Sequence, residues 1–311
     1  MRAHSLCERA LCERALCERA LCGRGASSSR LTAALLFDAG VARLLAFRQR
    51  EVNKRNMKLV VLGSGTSVPH PARASSAHWL ETGGGSTLLL DVGAASAQRM
   101  AQERLDWVNL DAVWISHFHL DHLGGLFPFL FGTKHAPDTQ ARRKPFHIYG
   151  PHGLKKLFRA FDEAGDYNLL KQPFPVEIRE VAPSAEFEIL PGLRAETFST
   201  PHTSESLALK LTDRDDASLA FTSDTGYTDA LATFAANVSL FLMECSFFRD
   251  KPVELHLELS EAMRLAQSSG ARRVMLSHLY PEWDELDLVA EASKLWDGET
   301  IEARDGLRLE I

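Results

Sequence analysis

The chain has 311 residues, of which 45% are apolar and 24% charged, as is typical of a globular protein with one large domain or two small ones. Residues 1–56 contain 11 Lys and Arg against 5 Asp and Glu, so the totals of 35 and 41 leave a net charge of −12 for residues 57–311. This acidic body argues against a large nucleic-acid partner, because the neutralisation of phosphates by basic residues supplies much of that affinity.

Residues 1–56 differ from the rest of the chain. They hold a tandem Leu-Cys-Glu-Arg-Ala repeat whose five-residue period matches neither a helix nor a zinc-ligand spacing, and it contains the cysteines Cys7, Cys12, Cys17 and Cys22. Met57 then begins the run Met-Lys-Leu-Val-Val-Leu-Gly, which is typical of a natural protein start leading into a first strand. We therefore expect residues 1–56 to be a disordered extension, or an upstream repeat translated by mistake, and residues 57–311 to form the folded domain.

Two further features bear on location. An apolar stretch at residues 31–48 is interrupted by Asp38, Arg43 and Arg48, which is typical of neither a membrane span nor a secretory signal. Cys245 is the only cysteine after residue 56. We therefore expect a cytoplasmic protein without a membrane partner.

A chain that begins at Met57 tests the interpretation of the extension. Since residues 1–56 contribute no element to the predicted domain, their removal should leave the melting temperature and the catalytic rate unchanged. Melting followed by circular dichroism, and a rate assay of both chains side by side, measure this. A shortened chain that is insoluble or inactive would show that the extension belongs to the fold.

From Met57 onward, strand-like and helical segments follow one another. Short apolar runs predict strands at 58–62, 86–91, 111–116, 146–149, 194–199, 206–212, 217–222, 238–243 and 272–276. Helical periodicity predicts helices near 94–104, 152–164, 227–235, 259–269 and 285–296, and the polar, basic segment 133–145 predicts an exposed loop. Because strands precede helices at both ends and consecutive strands lie between them, we predict an α/β fold of two packed sheets with helices outside, an αββα sandwich.

A six-residue motif follows the predicted strand 111–116: His117-Phe118-His119-Leu120-Asp121-His122. His117 and His119 lie two apart, so at the end of a strand they point the same way. Asp121 and His122 follow as the chain turns, and can face a second ion. Three imidazoles and a carboxylate at this spacing, between a strand and two glycines, indicate a metal site at the carboxyl edge of a sheet.

Three further ligand candidates each follow a predicted strand directly: His202, Asp224 and His278. Asp224 also precedes a predicted helix, so capping of that helix is an alternative role. Together with the motif, these residues make five His and two Asp, which is a full set of ligands for two ions that share one carboxylate.

The motif resembles the HxHxDH signature of the metallo-β-lactamase superfamily, and the resemblance extends over residues 57–311. It implies a four-layer αββα fold and two divalent metal ions, zinc or alternatively manganese or iron. The implied ligands are His117, His119 and His202 for one ion and Asp121, His122 and His278 for the other, with Asp224 bridging both. Asp91, at the end of the strand 86–91, is similar to the acidic residue that holds the free ring nitrogen of a ligand.

Three segments are similar to the ribonuclease Z branch of that superfamily: residues 62–69, residues 148–154, and His256 with the Ser-Glu-Ala that starts at Ser260. The segment at His202 lacks the glycines of the lactonase and thioesterase branches. Only 21 residues separate His202 from Asp224, where ribonuclease Z carries a long arm that grips tRNA. The resemblance therefore implies the fold and the metals, and leaves RNA and a small phosphodiester open as substrates.

We therefore predict a dinuclear metal-dependent hydrolase, a ribonuclease Z-like phosphodiesterase that attacks its substrate with a metal-bridging hydroxide. Asp121 and Asp224 would hold the hydroxide and His256 would donate to the leaving oxygen, with capping of the helix near Ser260 as the alternative role of His256. A carboxyl-type hydrolase acting on a lactone, thioester or β-lactam is the second interpretation, and a non-catalytic scaffold is the third.

The aromatic residues just after the motif bear on assembly. Phe127, Phe129 and Phe131 alternate along the chain and are predicted to lie in the core or at the mouth of the site. Contact with a second subunit, in a homodimer, is the alternative.

Overall fold

The computed structural model describes residues 56–311, and the expectations for residues 1–55 lie outside the described residues. In this part the strands are β1 Lys58–Gly63, β2 Ala77–Glu81, β3 Thr87–Leu90, β4 Ala112–Trp114, β5 Phe146–Pro151, β6 Val176–Val181, β7 Glu186–Leu190, β8 Leu193–Ser199, β9 Leu207–Thr212, β10 Ser218–Phe221, β11 Leu240–Glu244, β12 Arg273–Ser277, β13 Glu299–Glu302 and β14 Arg308–Glu310. The helices are α1 Ser96–Gln102, α2 Leu120–Leu123, α3 Leu126–His135, α4 Leu154–Ala164, α5 Ala230–Phe234, α6 Leu259–Ser269 and α7 Leu288–Ser293. Short 3₁₀ helices lie at Trp107–Asn109, Pro137–Thr139 and Pro281–Glu285.

The strands form two seven-stranded sheets, in the orders β14-β1-β2-β3-β4-β5-β6 and β13-β12-β11-β10-β9-β8-β7. Strands β3 to β6 run parallel, as do β10 to β13, whereas β1 to β3 and β7 to β10 are antiparallel. Parallel neighbours end at the same edge of a sheet, so the loops that follow them are brought together there.

Alternating side chains of the central strands face different layers. Leu59 of β1 packs between the two sheets, whereas Val60 packs against the helices outside the first sheet. In β11, Leu242 likewise packs between the sheets and Phe241 packs against the helices outside the second sheet. Burial on both faces explains why these strands are continuous apolar runs. The layers are therefore helix, sheet, sheet and helix, and the predicted αββα sandwich is confirmed.

The differences from the sequence-based elements lie mainly in half-buried strands. Strands β6 and β7, at an edge of each sheet, alternate buried and exposed positions and carry several Glu residues, so their apolar content is too low for the criterion that found the central strands. The predicted helix 285–296 is a 3₁₀ helix followed by the shorter α7. No helix of residues 56–311 combines the length and the hydropathy that crossing a bilayer requires.

The segment 133–145 is only partly exposed, which corrects the expectation of an exposed loop. The Arg142 side chain is buried and donates to the carbonyl oxygens of Val108, Leu110 and Pro145 at 2.7, 2.8 and 3.0 Å. Its guanidinium carbon lies 4.4 Å from the centre of the Phe174 ring. Backbone carbonyls that satisfy its donors allow this charge to be buried.

The three aromatic residues after the motif divide between the core and the surface. Phe127 and Phe129 are buried against the outer face of the first sheet, as predicted for core residues. Phe131 is 47% exposed on α3. The homodimer stays a prediction.

Two glycines, Gly125 just before α3 and Gly132 within α3, provide a matched test of packing next to the motif. A Cβ on Gly125 would lie 2.2 Å from the Gly93 carbonyl oxygen, whereas a Cβ on Gly132, in the interior of the same helix, meets nothing within 4 Å. Gly125→Ala should therefore lower the free energy of unfolding by about 1–3 kcal/mol. Gly132→Ala should raise it by about 0.5–1 kcal/mol, because alanine favours the helix. Urea unfolding of both variants measures this, and equal effects would contradict the close approach at Gly125.

Candidate metal centre

The predicted ligands converge at one edge of the two sheets. His117 follows β4, His202 follows β8, Asp224 follows β10 and His278 follows β12. His119 is the residue that begins α2, and places Asp121 and His122 in its first turn. The seven side chains form two groups that share Asp224: His117, His119, His202 and Asp224, and Asp121, His122, Asp224 and His278.

In the first group the ligand atoms face a common point. The His202 Nε2 atom lies 3.0 Å from His119 Nδ1 and 3.6 Å from Asp224 Oδ2. The His117 Nε2 atom lies 3.8 Å from the same carboxylate oxygen. Ligands bound at zinc-like distances in a tetrahedral site are about 3.3–3.4 Å apart, so this spacing suits one ion.

In the second group the same geometry recurs around the other oxygen of Asp224. The Asp224 Oδ1 atom lies 3.2 Å from His122 Nε2 and 3.3 Å from His278 Nε2. The Asp121 Oδ2 atom lies 3.5 and 3.4 Å from those two nitrogens. Asp224 thus presents one oxygen to each group.

Several of these atoms lack any other partner. His117 Nε2, His122 Nε2 and Asp224 Oδ1 are buried and have no hydrogen-bond partner among the described residues. A buried polar atom without a partner costs about 1–3 kcal/mol, so such atoms need a specific reason. Imidazole nitrogens and carboxylate oxygens turned toward one another fit a divalent metal ion.

The protonation states of His117 and Asp224 also suit metal binding. Burial lowers the pKa of His117 to about 2, so its ring is neutral near pH 7. Burial opposes ionisation of Asp224, but the rings of His122 and His278 outweigh it and hold its pKa well below the ordinary value. Neutral imidazoles and ionised carboxylates are the forms that coordinate metals.

The ring nitrogens that face away from the groups are held by the protein. The His122 Nδ1–H donates to Asp91 Oδ2 at 2.7 Å, and the His202 Nδ1–H donates to the Leu255 carbonyl oxygen at 2.9 Å. The His278 Nδ1 atom lies 3.0 Å from Ser246 Oγ. These contacts leave Nε2 of each ring as the free nitrogen.

Asp91 joins three parts of the site. Its Oδ1 accepts the Ser116 backbone N–H at 2.9 Å, and its Oδ2 accepts the hydroxyls of Ser116 and Ser223 at 3.0 and 3.1 Å, besides the His122 ring. The carboxylate is fully buried. It lies where the resemblance placed it, beside a ligand ring.

Three of the ten non-glycine residues with positive φ among residues 56–311 lie at this edge. Asp91, Ser223 and His278 have positive φ angles of 57°, 51° and 59°, which residues other than glycine rarely adopt. Such residues persist only where the surrounding structure holds them, and they cluster at functional sites. The chain therefore turns sharply directly after β3, β10 and β12.

Neither of the capping roles considered for the site residues is found. Helix α5 begins at Ala230 with Asp229 as its N-cap, so Asp224 does not cap it. Helix α6 has Glu258 as its N-cap and Glu261 completes a capping box, so His256 does not cap α6 either.

His256 lies beside the second group and has a partner that the sequence did not reveal. Its Nδ1 lies 3.0 Å from Glu244 Oε1, and its ring is nearly parallel to that of His278, with ring centres 5.5 Å apart. Burial opposes the charged ring, but Glu244 outweighs it and raises the pKa of His256. Glu244 is the last residue of the apolar strand β11, and this position at a strand end is the signal that would have found it.

Glu244, His256 and His278 form a third group of close ligand atoms. These atoms already bond within the protein, because Glu244 also accepts the backbone N–H groups of Thr225 and Leu257 at 2.6 and 3.1 Å. This group therefore orients His256 and His278.

A family model settles the classification of the chain. The model of the anti-Pycsar protein Apyc1 matches residues 57–296. The chain belongs to the Apyc1 family.

Three named proteins illustrate the sequences to which this Apyc1-family chain is similar. The protein ML1173 of Mycobacterium leprae is 30% identical over 249 residues, which cover 78% of this chain and 84% of that protein. The probable metallo-hydrolase YhfI of Bacillus subtilis is 27% identical over 254 residues, covering 80% and 98%. Ribonuclease Z of Methanosarcina acetivorans is 23% identical over 309 residues, covering 82% and 98%.

The crystal structure of YhfI, a metallo-β-lactamase fold protein, matches this chain with a TM-score of 0.70 at 25% identity, covering 82% of this chain and all of YhfI. The predicted membership of the metallo-β-lactamase superfamily, with ribonuclease Z-like relatives, is thereby confirmed. The Apyc1-family chain therefore has the fold of the metallo-hydrolases.

The contact between Asp91 and His122 can be tested by metal binding. In Asp91→Asn the side chain can no longer accept the ring N–H with a full charge, so zinc affinity should fall about 10–100-fold. Competition with a chromophoric chelator measures the affinity. Asp229→Asn, whose side chain is 74% exposed, is the matched control and should bind zinc like the unaltered chain. Equal affinities in both variants would show that Asp91 does not support a ligand.

Proposed function

We propose that this Apyc1-family chain is a dinuclear metal-dependent phosphodiesterase whose substrate is a small phosphodiester. The observation that carries the proposal is the sharing of Asp224, which offers one oxygen to each of two His and Asp groups. A pair of divalent ions bound there would lower the pKa of a water molecule and polarise a phosphoryl oxygen. Zinc suits the imidazole-rich ligands best, and manganese or iron would suit them as well.

The proposed ligands follow from the two groups. His117, His119 and His202 would hold one ion and Asp121, His122 and His278 the other, with Asp224 touching both. Burial opposes ionisation of Asp121, but the nearby rings of His122 and His278 outweigh it and hold its pKa below the ordinary value. It is therefore an ionised acceptor that, with Asp224, orients the attacking water.

His256 is the proposed proton donor to the leaving oxygen. The Glu244 carboxylate accepts from Nδ1 and favours the protonated ring, which leaves the Nε2–H to face a substrate. Its ring lies beside those of His202 and His278, one from each metal group. This one proton donor therefore lies next to both groups of candidate ligands.

The size of the substrate is inferred from the connection between two ligands. Between His202 and Asp224 the chain forms only β9, β10 and a short turn. The net charge of −12 over residues 57–311 repels a polyanion over the whole surface. Both features favour a small phosphodiester over an RNA.

The assay that tests the proposal uses the full chain loaded with zinc, manganese or iron. The substrates are bis-p-nitrophenyl phosphate, a set of cyclic nucleotides, a precursor tRNA and p-nitrophenyl acetate. Turnover of the small phosphodiesters supports the proposal, and cleavage of the precursor tRNA alone would replace it by a ribonuclease. Activity on the acetate alone would favour the carboxyl-type hydrolase. A chain that binds no metal would favour the scaffold.

Substitution of a metal ligand gives the matched control for that assay. Asp224→Ala removes one oxygen from each group, so it should abolish metal-dependent turnover together with zinc binding. His152→Ala, whose side chain is 94% exposed, should change neither. Turnover that survives in Asp224→Ala would place the chemistry elsewhere.

The role of His256 has its own prediction. His256→Ala should lower kcat about 10²–10⁴-fold, because general acid catalysis contributes that much, while the chain still binds two equivalents of zinc. Steady-state kinetics and a zinc titration on one preparation separate the two effects. An unchanged kcat on a substrate with a poor leaving group would contradict the assignment.

A further inference from the structure

The segment 251–258 holds two proposed parts of the site although much of it is exposed. The Leu255 carbonyl oxygen accepts the His202 Nδ1–H at 2.9 Å, and His256 faces Glu244 at 3.0 Å. Residues 252–255 are exposed, and Leu255 is 48% exposed. Exposed loops are ordinarily mobile, so something must fix this one against the metal groups.

The far end of the segment is tied to the second sheet. The Phe247 N–H donates to the Leu257 carbonyl oxygen at 3.2 Å, and the Leu259 N–H donates to the Phe247 carbonyl oxygen at 3.0 Å. The Leu257 N–H donates to Glu244 at 3.1 Å. These bonds fix residues 257–259 and leave the start of the segment to be held by other contacts.

Lys251 supplies those contacts. Its ammonium nitrogen donates to the two carboxylate oxygens of Glu261 at 2.8 and 2.9 Å and to the His256 carbonyl oxygen at 3.1 Å. A second carboxylate, that of Glu254, lies 3.2 Å away. The Lys251 side chain is only 7% exposed, so its charge is shielded from water and its three donors are all used.

The middle of the segment also lies close to the residues that follow Asp224. A Cβ on Gly226 would lie 2.3 Å from the Glu254 carbonyl oxygen, so the two backbones are in direct contact. The Gly226 N–H donates to the Pro201 carbonyl oxygen at 2.9 Å, next to His202. A displacement of the segment would therefore also move His202 and the loop that contains Asp224.

We propose that Lys251 is a positioning residue of the metal centre. By joining Glu261 at the start of α6 to the His256 carbonyl oxygen, it holds the 251–258 segment in the place where His256 meets Glu244 and the Leu255 carbonyl orients His202. The kinetic part of this inference rests on the proposed phosphodiesterase function. The part that concerns His202 rests on metal binding alone.

The test compares three variants of the full chain. Lys251→Met keeps the length and the apolar stem and removes the ammonium. Glu254→Gln alters the exposed partner, whose side chain is 89% exposed, and leaves the bond to Glu261 intact. Lys294→Met removes an ammonium that is 64% exposed and that pairs, within residues 56–311, only with Glu291. The last two are the controls.

Zinc titration against a chromophoric chelator is the first measurement. Lys251→Met should bind one of two zinc equivalents about tenfold more weakly, as expected when the support of a ligand is lost, and the other equivalent unchanged. The two controls should bind zinc like the unaltered chain. Two unchanged equivalents in Lys251→Met would overturn the link to His202, whether or not the chain cleaves phosphodiesters.

Kinetics at saturating zinc are the second measurement. Lys251→Met should lower kcat about tenfold and leave KM within about twofold, since the segment places a proton donor and does not bind the substrate. In Lys251→Met with His256→Ala, kcat should equal that of His256→Ala alone. A further loss of the same factor in the double variant would show that Lys251 does not act through His256.

If Lys251→Met does not fold, as judged by circular dichroism, Glu261→Gln replaces it. Glutamine at this position keeps the capping box of α6 but weakens the ion pair with Lys251. Glu261→Gln should also lower the zinc affinity and kcat, by a smaller factor than Lys251→Met. A folded Glu261→Gln chain with unaltered zinc affinity and kcat would overturn the proposal.

An unaltered chain that folds and binds zinc but cleaves no phosphodiester would refute the proposed function. The zinc titration would then still decide whether Lys251 is a positioning residue.

Discussion

The carboxylate of Asp224 is almost fully buried and faces imidazole rings on both sides, and its oxygens serve different groups. A buried charge is tolerated only with close partners of the opposite sign or with a metal, so every neighbour must be held in place. The rings of His122 and His278 hold the pKa of Asp224 well below its ordinary value against the effect of burial, and three buried ligand atoms have no other partner among residues 56–311. The other features of this edge of the sheets hold Asp224 and the rings around it in place.

The candidate ligands are held first by the ends of the strands. They are held second by two further carboxylates. Asp91 holds His122 from behind the second group, and Glu244 holds His256 beside it. Each carboxylate also accepts backbone N–H groups, from Ser116 in one case and from Thr225 and Leu257 in the other. The charged acceptors are thereby anchored to the sheets, and their direction is set before any ligand binds. Sharp turns at positive φ bring the side chains inward at the same edge.

Much of this site could be predicted from the sequence because its ligands obey a local rule. Asp91, Asp224 and His278 each follow an apolar strand with a parallel neighbour, and the ends of such strands meet in space. His202 also follows a strand, β8, but its neighbours are antiparallel. Glu244 obeys the same rule, but one carboxylate at the end of a strand has no nearby motif to single it out. Arg142 could not be predicted, since its burial depends on carbonyl oxygens 32 and 34 residues earlier in the chain. Contacts of this kind are products of tertiary packing, which leaves no periodic trace in the sequence.

The candidate metal ligands differ in exposure, and this difference bears on the direction from which a substrate would approach. His117 and His122 are buried, whereas His119 is exposed and Leu120 beside it is 76% exposed. Leu255, on the segment that Lys251 fixes, is 48% exposed near His202. Two apolar side chains are thus exposed close to candidate ligands, whereas His117 and His122 are buried. The proposed substrate, with one phosphodiester charge and an apolar or aromatic substituent, would suit this order, because its substituent would contact these side chains while its charge faced the proposed ions. A long polyanion would bring further phosphates against an acidic surface, where each is repelled.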